Sequence, residues 1–164
     1  MRIAVIDSSP LIHLAHLDLA VHLNSFFDVI YVSRSVQQEV NRIGRFRRRL
    51  TKLYRRSVFE RCSVVDQANV DLMRIELDMG EAEALAQAPE RNATFFIVDE
   101  RAARDMASNK GLKVVGTARL LARLHLDGKA EDPRVLIRKL RRDLGFRIRD
   151  DVLEDAIAMA SEPI

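Results

Sequence analysis

Four short runs, IAVI (3–6), VIYV (29–32), FFIV (95–98) and LKVV (112–115), recur along the chain and consist mainly of β-branched and aromatic residues. That is the composition of strands buried on both faces of a parallel sheet. CSVV (62–65) is a fifth, weaker candidate. Between the runs, apolar residues fall at helical spacing, as in Leu11, Leu14 and Ala15, in Val36, Val40 and Ile43, or in Ala103, Met106 and Ala107. Strand alternating with helix builds right-handed βαβ units. The expected fold is therefore a three-layer α/β/α arrangement around a central, mainly parallel sheet of four to five strands. Ser9 before Pro10 reads as a helix start, Asp66 as the cap of a later helix and Gly111 as a helix end. After Pro133 the strand pattern stops, and two amphipathic segments flank GFRIR, with Asp150 as the cap of the second. The expected organisation is an α/β domain over 1–132 and a C-terminal helical hairpin over 133–164, packed on the same domain or on a dimer partner.

With 164 residues, 48% of them hydrophobic, the chain can bury the core of one ordinary domain. Cys62 is the single cysteine and excludes an internal disulfide. The first apolar run breaks after four residues, too short for a signal peptide or a membrane span, so a cytoplasmic protein is expected. Net charge is only +3, but it is unevenly spread. Residues 40–59 hold eight basic side chains and no acid, whereas 66–83 hold six acids against Arg74 alone.

Open parallel sheets bind ligands outside the carboxyl ends of their strands, where strand order reverses. Asp7 directly follows IAVI and Asp99 directly follows FFIV, which puts both on that edge. Glu39 flanks the stripe of Val36, Val40 and Ile43. Glu81 and Glu83 open the helix GEAEALAQA, where an acid gains from the positive helix end. Because Leu85 and Ala86 continue the apolar stripe, Glu83 is placed at the inner edge of that turn and is favoured over Glu81. Carboxylates gathered at one point repel, and an unpaired buried charge is expensive. With oxygen donors only and no Cys/His cluster at ligand spacing, the fitting neutralising partner is Mg²⁺ or Mn²⁺. The reaction class that suits such an ion beside carboxylates is phosphodiester hydrolysis.

Each acid also has a structural reading. Asp7 alone serves equally well as a turn residue or helix cap, and Glu81 as a complement to the helix dipole. Ser8 either supports a neighbouring carboxylate or only shapes the turn. His13 and His16 lack a third ligand at matching spacing and read as packing residues. Arg45, Arg47, Arg48, Arg49, Lys52, Arg55 and Arg56 would form a helix or helical hairpin whose charged face attracts RNA backbone or an acidic protein partner. Arg101 and Arg104, one turn apart after Asp99, are placed to meet a phosphate or to pair with the acids. No G-x-G-x-x-G and no G-x-x-x-x-G-K-[ST] occurs, so nucleotide-cofactor and P-loop chemistry lack support.

VIDSSPLIHL, Glu39 in QQEV, GEAEALAQA and FFIVDERAARDMASNKGLKVVGT, in this order, resemble the PIN-domain family, in particular its short prokaryotic members. The resemblance covers residues 1 to about 125, and the tail also resembles that subgroup. It implies a metal-dependent ribonuclease, with the toxin of a toxin/antitoxin pair as one role. Carried over residue by residue, Asp7, Glu39 and Asp99 match three acids of the family quartet. The fourth falls on Glu81 or Glu83, and Glu100 stands where relatives often carry a second aspartate. The expected enzyme is a Mg²⁺- or Mn²⁺-dependent endoribonuclease that holds metal through Asp7, Glu39, Glu83 and Asp99, with Glu81 and Glu100 as further candidates. Ser8, Arg101, Arg104 and Thr117 would orient the phosphate, and a homodimer and an antitoxin partner are expected by analogy. The alternative is a catalytically weak module binding RNA or an acidic protein through 42–56.

Overall fold

In the computed structural model, residues 1–56 and 58–164 are described, with the side chains of Arg45, Arg47, Leu50 and Arg56 outside the described set. Five strands pair in parallel in the order β3-β2-β1-β4-β5: β1 (Ile3–Ile6), β2 (Val29–Val32), β3 (Phe59–Arg61), β4 (Phe95–Ile97) and β5 (Lys113–Val115). β1 is the centre, flanked by β2 and β4, and all four of its residues are buried. Strand order reverses between β1 and β4, so the crevice between their carboxyl ends is the switch point of the sheet.

The fifth strand is Phe59–Arg61 and not CSVV. An edge strand needs only one inward apolar residue, and Phe59 supplies it opposite Ile30. Cys62 N–H donates to Val32 O at 3.1 Å and closes the ladder, after which the chain leaves the sheet and Val65 is exposed.

Helices α1 (Ser8–His16), α2 (Arg34–Arg42) and α3 (Gly44–Arg56) fill the connections from β1 to β3, and α4 (Gln67–Met73) and α5 (Met79–Glu90) lead back to β4. α6 (Arg101–Asn109) joins β4 to β5. One layer of core packs Val70, Leu85, Ala103 and Ala107 of α4, α5 and α6 against Val5 and Phe96 of the sheet. The alternate residues of the strands point the other way, where Phe27 meets Phe95 edge to face at 5.4 Å. α1 starts two residues earlier than Ser9 suggests. Asp7 is extended at φ −82° and ψ 165°, and its Oδ2 accepts from Ser9 N–H at 3.2 Å, so Asp7 is the cap.

The chain divides into two compact units, 1–115 and 116–164. The second consists of α7 (Thr117–Leu126), α8 (Pro133–Leu144) and α9 (Asp150–Ala158). Asp132 caps α8 by accepting from Arg134 N–H at 2.7 Å, and Gly145, at φ +68°, ends it in the left-handed conformation. Arg141 then ties the connection by donating to Ile148 O and to Asp150 at 2.7 Å each. Arg149, not Asp150, occupies the cap position of α9, while Asp150 and Asp151 supply the negative charge of its first turn.

Phe96 is fully buried at the middle of β4. Phe96→Ala should lower unfolding free energy by about 3–5 kcal/mol in urea titrations followed by circular dichroism. A loss below about 1 kcal/mol would mean that this face of the sheet does not carry the core.

Candidate active site

Asp7 reaches the switch point because β1 delivers it there. Its N–H donates to Ile97 O at 3.0 Å, which extends the β1–β4 ladder by one rung and leaves the side chain 3% exposed. Oδ2 is held by the first turn of α1, whereas Oδ1 is buried with no hydrogen-bond partner among the described residues. Burial pushes the Asp7 carboxyl up to about 6, against the backbone N–H groups of Ser8 and Ser9, and the charges of Asp78 and Glu39 add to the rise.

The centre of the acidic edge is Gly80, the second residue of α5. A Cβ there would lie 3.4 Å from Asp7 Oδ1, 3.4 Å from Glu39 Oε2 and 3.5 Å from Asp78 Oδ1. Three carboxylates from β1, α2 and the start of α5 thus aim at one point, and the missing side chain leaves it open. Asp78 is the member that sequence reasoning missed. It caps α5 by accepting from Glu81 N–H at 2.9 Å, while Glu81 Oε2 accepts from Asp78 N–H at 3.2 Å. The signal was present as Asp78-x-x-Glu81, the pattern of a capping box. Glu81 is buried, and its carboxyl is pushed up to about 7, first by burial, then by the Asp78 charge, with Asp7 and Glu100 adding.

Glu83 is bound to α2. Its Oε2 accepts from Ser35 N–H at 2.9 Å and, with Ser33 Oγ accepting from Val36 N–H, satisfies the first turn of α2. α2 lies beside α5, and its free N–H groups take the Glu83 carboxylate. Asp99 stands two residues past Ile97, the partner of Ile6. Its Oδ2 lies 3.1 Å from His13 Nδ1, a pairing that the packing reading of His13 did not anticipate. Both partners are largely buried. Arg104 donates to Val98 O at 3.0 Å and fixes the turn that carries Asp99. Glu100 caps α6 without a side-chain hydrogen bond, and its charge reaches Glu81. Arg101 is exposed and pairs with Asp105 at 3.7 Å, so it serves its own helix rather than the acids.

Ser8 is buried and contributes its backbone N–H to Asp7. Thr117 is the buried first residue of α7, in the second unit. Along α3, Arg48, Lys52 and Arg55 are exposed, and Arg49 donates to Ala15 O at 2.6 Å and to His16 O at 3.2 Å, closing the end of α1. The side chains of Arg45, Arg47 and Arg56 lie outside the described residues. Phe46 is fully buried and Arg61 covers the Tyr54 ring at 4.4 Å, so neither ring is open to a base.

Among the described residues no three His, Cys, Asp or Glu side chains close to metal-holding geometry. The donor set nevertheless fits a hard cation: it is all oxygen, it includes the orphaned buried Asp7 Oδ1, and two of its members are pushed toward neutrality by crowding and burial. In the metal-free protein, folding favours the protonated forms of Asp7 and Glu81. That contribution is full below the ordinary carboxylate range and is lost as pH rises through about 6 and about 7. With cations chelated, Tm should fall between about pH 4 and about pH 7, and Asp7→Asn should flatten the fall. An unchanged pH slope in that variant would remove Asp7 as the source. Gly80→Ala should fold with equal or higher stability, by up to about 1 kcal/mol, since alanine favours helix. The same methyl should weaken Mn²⁺ binding measured by calorimetry, because it occupies the point that the three carboxylates face.

No curated protein matches the chain. A family model described as PIN domain (DUF3368) matches residues 3–162, nearly the whole sequence. PIN domains are nuclease-type modules that generally use divalent metal ions. With a match over nearly the whole sequence and a five-strand parallel sheet flanked by helices, the chain belongs to the PIN-domain family.

Proposed function

We propose that this protein is a Mg²⁺- or Mn²⁺-dependent ribonuclease that hydrolyses phosphodiester bonds at the carboxyl edge between β1 and β4. The observation that carries the reading is the convergence of Asp7, Glu39 and Asp78 on Gly80, with Asp7 Oδ1 buried and unpartnered. Asp7, Glu39, Glu81 and Asp99 are the metal-holding set under this reading, and Asp78 and Glu100 border it. A bound divalent ion would polarise a phosphoryl oxygen and make its water a better nucleophile. The chain's own residues supply the rest. β1 and the first turn of α1 fix Asp7, the capping box fixes Glu81, and His13 and Arg104 orient Asp99 and its turn. In the reaction, water adds to phosphorus and one P–O ester bond breaks, leaving a phosphomonoester and a hydroxyl. The exposed cations of α3 favour a polyanionic substrate.

The test is cleavage of mixed single-stranded RNAs in Mn²⁺. Asp7→Asn and Asp99→Asn should each lower the rate on the order of 100-fold or more, equivalent to about 2.7 kcal/mol of transition-state stabilisation. Cleavage that both variants retain would reject this site, while RNA binding without any cleavage by the unaltered protein would reject the hydrolase in favour of a binding module.

A further inference from the structure

Beside the acidic edge lies a cleft of about 290 Å³. One wall is α2, whose Ser35, Gln38, Glu39 and Arg42 all line it. Their spacing of i, i+3, i+4 and i+7 is one helical face, opposite the buried Val36 and Val40. The other wall is the start of α5, with Met79 at its surface and Gly80 at its base. The cleft therefore opens from the carboxylate cluster itself, and Glu39 and Asp78 belong to both.

Two of its side chains are not used by the fold. Among the described residues Arg42 and Gln38 have no ion-pair or hydrogen-bond partner, and both are exposed. Arg42 stands one turn from Glu39 without pairing to it. A guanidinium beside several carboxylates that binds none of them is suited to a phosphodiester oxygen, which it can hold with two parallel N–H donors. Gln38 offers both a donor and an acceptor at a base edge. Met79, 36% exposed, presents the apolar surface in the cleft on which the face of a base can lie.

We propose that this cleft holds the nucleotide adjacent to the bond being cut, with Arg42 on its phosphate and Gln38 and Met79 on its base. The ligand class is a single-stranded polynucleotide, since a base held against Met79 and Gln38 must be unstacked and unpaired. The assignment rests on the nuclease reading for its position in the substrate, but binding can be measured without any cleavage.

The experiment uses the full chain and a randomised, fluorescein-labelled single-stranded RNA in EDTA, read by fluorescence anisotropy over a range of salt. Arg42→Ala should weaken binding about tenfold and reduce the slope of log K against log salt by about 0.7, the loss of one phosphate contact on a single strand. Lys110→Ala removes the same charge at the far end of α6 and should leave both quantities unchanged. In Mn²⁺, Gln38→Ala should alter the base preference next to the cut and leave the salt slope as it was. Equal affinity and slope for Arg42→Ala and the unaltered protein would overturn the subsite, as would an equal loss in Lys110→Ala, which would mean charge alone. If the unaltered protein cleaves no RNA yet Arg42→Ala still weakens binding, the hydrolase reading fails and the binding cleft stands. If cleavage persists with unchanged KM in Arg42→Ala and unchanged base preference in Gln38→Ala, the nuclease stands and the cleft assignment fails.

Discussion

Burying a carboxylate at the end of the most enclosed strand is the constraint that organises this protein. β1 lies between β2 and β4, so whatever follows Ile6 emerges under the first turn of α1 and beside the end of β4. An apolar residue there would need no compensation. Asp7 needs a great deal, and the chain supplies only part of it: α1 neutralises one oxygen through Ser9 N–H, and the other is left without a partner. Placing Glu39 and Asp78 within reach of that second oxygen raises the electrostatic cost further. An arrangement that is unfavourable for folding alone is understandable where a cation or a phosphate-bearing substrate contributes the missing interaction.

Several acids on this edge serve two purposes, which explains how the fold tolerates them. Asp78 and Glu81 satisfy each other's backbone N–H groups at the start of α5, and Glu83 satisfies α2. These bonds offset charge repulsion with helix-end stabilisation. They also make α2 and α5 a single support: Glu83 anchors the start of α2 to α5 and so sets the position of Glu39, one turn further on. Gly80 is the space between them, and its missing side chain is as much a part of the site as the carboxylates. The exposed face of α2 then continues from the acids to Arg42, so charge changes sign along one helix within about one turn, over roughly 5 Å.

The sequence alone determined the sheet's central strands, the alternation that makes it parallel and the position of Asp7 and Asp99 at its carboxyl edge, because strand composition and chain direction are local properties. Helix ends marked by Asp66 and Gly111 were legible for the same reason. The fifth strand was not, since an edge strand is defined by pairing with β2 and not by its own composition, and Phe59–Arg61 carries two charged residues out of three. The engagement of Glu83 by the free N–H groups of α2 is likewise a fact of α2–α5 packing that a stripe argument on α5 alone does not contain. Asp78 was legible as a helix cap from its spacing to Glu81 but not as a neighbour of Asp7 and Glu39, and His13 read as a packing residue until β4 brought Asp99 against it, 86 positions away in sequence. Local chemistry named Asp7, Glu39 and Asp99; only tertiary contact, which joins residues that no spacing rule connects, decided which carboxylates meet at Gly80 and which side chain meets Asp99.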